Sequence, residues 1–308
     1  MSDRDGGHTD GGVAKQRETG SRSGGFGGLA GRLFRTVGTQ VELFVHNYGR
    51  YLGKTIVGAI ILFLWAPIFV LSFMSFSQRE VLSFPPESLT VDWYISFINN
   101  PQALEALTTT IQVAVIATPL GIFLSLLIAY SVSRYDFRGR FLLQAVATLP
   151  LIIPLIVVGV AMTMFFGFVG IQSGFWPVVF AHTVQIVPFG TLIILATLIS
   201  FDTTLEEASM DLGANEFETF RQVTLPAILP SIIAATLLGF VISFNEFIYT
   251  YFVKDARTNT LPTYIWDRLQ HTATPEVNVI SVVFLLVAIM MVVVAVAITT
   301  VERVAIRQ

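Results

Sequence analysis

Six runs of this chain are apolar over membrane length: roughly residues 55–76, 108–132, 141–168, 175–199, 230–253 and 278–301. A helix needs about 20 apolar residues to cross a bilayer core, where every backbone N–H and C=O must be satisfied within the protein. A chain with six such runs is therefore an all-α, polytopic membrane protein with six transmembrane helices. With 54% hydrophobic and 13% charged residues and a mean hydropathy of +0.71, it is too apolar for a soluble domain.

The charges set the expected orientation. Fourteen Lys and Arg fall on one side of the six runs: eight before the first run, then Arg134, Arg138, Arg140, Arg221, Arg303 and Arg307. The other side carries four, Arg79, Lys254, Arg257 and Arg268. The richer side is expected to be cytoplasmic, with both termini and the polar segment between the fourth and fifth runs. Trp93, Tyr94, Trp176, Tyr264 and Trp266 then fall at the outer boundary. Residues 1–31, with ten glycines, read as a disordered cytoplasmic tail. Residues 32–54 place Leu33, Phe34, Val37, Val41, Phe44 and Tyr48 at helical spacing among basic residues and read as an amphipathic interfacial helix. Residues 55–308 form the six-helix domain.

Several chemistries are excluded. There is no cysteine, and the four histidines show no metal-ligand spacing. A net charge of −3 gives no electrostatic basis for binding nucleic acid. No motif positions a catalytic triad or carboxylate pair. Gly53, Lys54 and Thr55 spell GKT, but Tyr48 stands where a P-loop has its first glycine, and the segment leads into a span. No cofactor is expected in this chain.

Pro150 and Pro154 in the third run and Pro188 in the fourth remove backbone donors and predict bends or irregular starts. Such breaks mark either a solvated pathway or a packing kink. Inside the apolar runs, Glu246 in SFNEFIYTYF is the clearest ionisable residue, with Asn245 beside it. It has two readings, a carboxylate meeting a cationic solute or a hydrogen bond to a neighbouring helix. His182 and Gln185, one helical turn apart, either line the same cavity or bond helix to helix.

The polar segment of the loop 200–229 is the most specific signal. Thr204 with Glu207 predicts a capping box, Gly213 a left-handed stop, and Asn215 with Glu218 a second capping box. Pro226 is expected to end the second of two short helices. Glu207, Ala208 and Ser209, then Gly213, then Val223, Leu225 and Pro226 resemble the EAA signature of importer-type ABC permeases. Ser209 stands for Ala and Val223 for Ile. The segments 90–114, 133–159 and 261–281 are similar to the spermidine/putrescine branch, so the resemblance covers most of the chain from about Tyr51 onward.

That resemblance implies the type I ABC importer permease fold and a cell-membrane location. Glu207, Ala208, Ser209, Asp211, Gly213, Leu225 and Pro226 would form the loop that docks on an ATP-binding cassette subunit. It implies two copies of that subunit, which bind ATP and Mg²⁺, a second homologous permease, and an extracellular or periplasmic solute-binding protein. A polyamine is the leading solute; amino acid derivatives, iron and thiamine follow. The branch commonly has an acidic pair where this chain has Asn245 and Glu246. The competing class, an ion-coupled secondary transporter, predicts an inverted repeat and more intramembrane ionisable residues; neither is found.

Overall fold

The computed structural model describes residues 51, 53–78, 85–271 and 275–305. The tail and nearly all of the expected interfacial helix lie outside these residues. The chain divides into two compact units, Met1–Ala66 and Pro67–Gln308. Among the described residues, the first unit holds the greater part of helix α1, Gly53–Met74.

Among its described residues, the second unit consists of helices and the loops that join them, with one isolated bridge between Ser77 and Leu89. Its centre is made by α3 (Pro101–Arg134), α6 (Phe175–Ser200) and α9 (Leu225–Phe244). The short α2 (Asp92–Ile98) precedes α3. The 34-residue α3 starts where the Asn100 side chain accepts the N–H groups of Gln102 and Ala103 at 3.1 and 3.2 Å. Pro101 occupies the first turn, where its missing donor costs nothing.

The three central helices touch through glycine. A Cβ on Gly121 of α3 would lie 2.8 Å from Ile186 of α6, and one on Gly239 of α9 would lie 3.0 Å from the same side chain. Small residues let backbones approach this closely in a membrane, where no hydrophobic force separates helix from lipid. The Ser125 hydroxyl lies 2.7 Å from the Gly121 carbonyl and 3.0 Å from that of Val187. Val113, Ile186, Ile194, Leu198 and Ile228 fill the core around these contacts.

Two expected spans differ from single helices. The third run is α4 (Arg140–Thr148), a 3-10 turn at Leu149–Leu151, and α5 (Leu155–Phe168), bent by 110°. Pro150 lies in the turn and Pro154 caps α5, so the two donor-less residues delimit the bend. Pro188, by contrast, sits inside α6 without interrupting it. The fifth run breaks at residues 245–247. α9 ends at Phe244, Asn245 caps it, and α10 (Ile248–Val253) begins as a separate helix. α10 packs on α5, where the Thr163 hydroxyl donates to the Phe252 carbonyl at 2.8 Å.

At the end of the bundle where α3 begins, α11 (Leu261–His271) and α12 (Pro275–Ala305) join the structure. The Leu261 N–H donates to Thr110 of α3 at 2.7 Å. The Tyr264 hydroxyl receives Asn100 at 3.1 Å and Arg268 at 2.8 Å.

Candidate functional site

The polar insert follows α6 as α7 (Thr204–Asp211) and α8 (Glu216–Thr219). The expected Thr204–Glu207 capping box does not form. Asp202 takes the Thr204 N–H at 3.0 Å and its hydroxyl at 2.8 Å, and Thr203 occupies the cap position without a side-chain bond. A carboxylate two residues ahead is the stronger local acceptor. These bonds, the hydroxyl's first, hold the Asp202 carboxyl below the usual range.

α7 ends as expected, with Gly213 at φ +97°. Ala214 N–H reaches the Ser209 carbonyl at 3.2 Å and Gly213 N–H that of Met210 at 2.9 Å, the paired bonds of a Schellman turn. The second capping box is present, with Asn215 and Glu218 each accepting the other's backbone N–H at 2.9 Å. The second helix does not stop at Pro226. α8 runs into a π-helical stretch, Phe220–Thr224, and directly into α9, with Pro226 in its first turn. A proline ring clashes with the carbonyl four residues earlier, here that of Gln222, and the wider π turn accommodates it.

The insert presents apolar side chains outward. Leu212 is 90% exposed and Phe217 70%, with Leu205 and Met210 also exposed. Glu207, Ala208, Asp211 and Pro226 are exposed as well, while Ser209 and Leu225 are half-buried. The Ser209 and Thr219 hydroxyls, 3.1 Å apart, join α7 to α8.

Glu206, absent from the expected site, is the buried member of its acidic pair. Its carboxylate receives Arg134 Nε at 2.8 Å and the Thr224 hydroxyl at 2.6 Å. Arg134 also donates from Nη1 to the Leu198 carbonyl at 3.3 Å and lies 5.7 Å from the Phe201 ring centre. Nothing in the spacing of residues 134 and 206 announces this pair; only the doubled Glu206–Glu207 hints that two carboxylates have two tasks.

The intramembrane residues fall into two groups. Glu246 and His182 come together and are 4% and 1% exposed. Glu246 accepts the N–H groups of Tyr249 at 2.7 Å and Thr250 at 2.9 Å, capping α10 at the break. His182 Nε2 is 2.7 Å from the Thr250 hydroxyl and Nδ1 2.8 Å from that of Ser243. One self-consistent proton order has Nε2–H donating to Thr250, Thr250 donating to Glu246, and Ser243 donating to Nδ1. Gln185 is not brought into this cluster; its Oε1 is buried without a hydrogen-bond partner among the described residues. Asn245 is exposed and lines a hollow of about 310 Å³ between α9 and α12 with Phe240, Phe244 and Met290.

Residues 117–305 match the family described as binding-protein-dependent transport system inner membrane component. The chain belongs to that family. Among curated relatives, it is 30% identical to the spermidine/putrescine transport system permease protein PotC of Escherichia coli K12 over 80% of this chain and 92% of that one. The putrescine permease protein PotI of the same strain is 26% identical over 72% of this chain and 82% of its own. The fold is shared with a bacterial ABC transporter that imports the polysaccharide alginate, at TM-score 0.67 and 18% identity, covering 85% of this chain and 98% of that one. The family match starts inside α3 and takes in α6, the insert and α9, the elements that meet at Arg134 and Glu206.

Proposed function

We infer that the chain is a membrane-spanning subunit of an ATP-driven importer, with a polyamine as its leading solute. The observation that carries this reading is the insert itself. α7 and α8, bonded to each other through Ser209 and Thr219, form an element whose buried side bonds to the spans through Glu206 and whose outer side exposes Leu205, Met210, Leu212 and Phe217. Exposed apolar residues on an otherwise polar element mark a protein contact. In this reading Glu207, Ala208, Ser209, Asp211 and Gly213 meet an ATP-binding subunit, and Leu225 and Pro226 carry the load into α9.

The rest of the machine follows from the family. Two copies of the ATPase subunit hold ATP and Mg²⁺, a second related permease completes the channel, and an external solute-binding protein delivers cargo. Both termini and the insert face the cytoplasm. The solute path passes Asn245, with Glu246, His182 and Gln185 set at the same level of the bundle. An amino acid derivative, iron or thiamine is the alternative cargo.

The test is reconstitution with an ATP-binding subunit, a second related permease and a solute-binding protein from the source organism. ATP-dependent uptake of putrescine or spermidine that requires the binding protein supports the reading. Transport without the ATPase subunit overturns it, and a binding protein that holds another solute but no polyamine reassigns the cargo.

A further inference from the structure

Glu206 joins more of the molecule than any residue the insert was expected to use. It stands in the first turn of α7, facing the last residue of α3, the last residue before α9 and, through Arg134, the last turn of α6. One carboxylate thus ties the insert to all three central helices. The contacts are short, with Arg134 Nε at 2.8 Å and the Thr224 hydroxyl at 2.6 Å, and the Glu206 and Arg134 side chains are only 10% and 13% exposed.

Such a pair is a poor device for stability alone. Taking two charges out of water costs about what their attraction returns, and apolar replacements of both are often neutral. Arg134 Nη2 is buried without a hydrogen-bond partner among the described residues, so the site accepts incomplete satisfaction to keep the pair. What an ion pair adds over apolar packing is a fixed distance and direction.

The covalent route from α7 to α9 is longer and less direct. It passes the left-handed turn at Gly213 and the π-helical stretch Phe220–Thr224, where backbone bonds are wider and less regular. A push on α7 spreads into that route unless something bypasses it, and the Arg134–Glu206 contact does so.

We propose that Arg134, Glu206 and Thr224 form a latch that makes α7 move as one body with the ends of α3, α6 and α9, so that these three act as positioning residues for ATPase coupling. The proposal rests on the importer reading above. It assigns force transmission to Glu206, while the exposed Glu207 is left to meet the partner.

The natural chain lacks cysteine, which allows a direct measurement. Ala214→Cys, just after α7, and Asp136→Cys, just after α3, carry spin labels in the full complex with its ATPase, second permease and binding protein. The label distance is compared without nucleotide and with ATP plus vanadate. In the otherwise wild-type complex the distance stays the same in both states. With Arg134→Leu and Glu206→Leu together, the ATPase still co-purifies and the distance shifts between states by roughly 2–5 Å. In unlabelled complexes, the same double variant imports roughly tenfold less putrescine per ATP hydrolysed.

A distance that changes with nucleotide in the wild-type pair overturns the latch, as does one that holds still in the double variant. Loss of the ATPase from the double variant also overturns it, because Glu206 would then serve docking. A complex in which vanadate traps no nucleotide removes the importer reading itself, an outcome distinct from these.

Discussion

Glu246 and His182 approach to 3.4 Å inside the bundle, yet the carboxylate spends its oxygens on the backbone of α10. The glutamate that the sequence leaves open between a solute contact and a bond to a neighbouring helix is, by geometry, the cap that starts a helix after the break in the fifth span. Asn245, its neighbour, is the one that opens onto a hollow.

This separates two substitutions. Glu246→Gln puts an amide N–H₂ where one of the N–H donors needs an acceptor, and it should lower stability by about 2 kcal/mol. Asn245→Leu leaves the Glu246 cap of α10 intact and loses only the exposed bond from the Asn245 amide to the Val241 carbonyl, so it should reduce uptake while moving the thermal midpoint less than Glu246→Gln does. Unfolding midpoints in detergent, measured beside uptake, check both; an unchanged midpoint in Glu246→Gln would falsify the capping role.

Gly190 of α6 faces Ser125 of α3, and a Cβ there would lie 2.9 Å from the Ser125 Cβ. Gly190→Ala should therefore destabilise the bundle by roughly 1–3 kcal/mol through overpacking. Pairing it with Ser125→Gly should recover most of the loss. If the double variant unfolds as early as the single one, the contact is not the cause.

Gly213 tests the backbone rather than the packing. Its φ is +97°, but a Cβ placed there would meet nothing within 4 Å, so only the left-handed conformation resists a side chain. Gly213→Asn should be tolerated, since Asn visits this region, whereas Gly213→Val should cost about 1–2 kcal/mol and uncouple ATP use from import. Equal ATP-to-solute ratios for the two variants would contradict this.

Asp202 gives a pH dependence. Its carboxyl titrates below the ordinary value of 3.8 because it accepts from the Thr204 hydroxyl and N–H. A folded value below the unfolded one means the stabilisation is present above pH 3.8 and disappears as the pH falls through the lower, folded value. Amide exchange at Thr204, relative to Asp202→Asn, should show protection above that range that is lost below it. Protection that does not differ between the two proteins would exclude the bond.

Much of this was legible in the sequence because it is written in local chemistry. The six apolar runs, the stop at Gly213 and the Asn215–Glu218 box each depend on residues a few positions apart, and each has its counterpart in the helices. Pro150 and Pro154 announce a bend, though not its 110°. The Thr204 cap fails because Asp202, two residues earlier, takes the Thr204 N–H that Glu207 would have accepted, and the Glu207 N–H goes to the Thr203 carbonyl. His182 and Glu246 were readable as candidates for one cavity or a helix-to-helix bond, though not their hydroxyl partners Ser243 and Thr250; Arg134–Glu206 was out of reach, since that pair exists only once distant helices have been brought together.

At 34 residues and 1.5 Å each, α3 is about 51 Å long, roughly 20 Å more than a hydrocarbon core. Its strongly apolar middle, residues 111–129, is close to one bilayer in length, so both ends project through the headgroups. Arg134 is the last residue of one projecting end. The length of α3 beyond its apolar middle therefore sets how far the insert tied to Arg134 stands from the hydrocarbon core, and a thinner or thicker membrane should be met by a change in the tilt of α3.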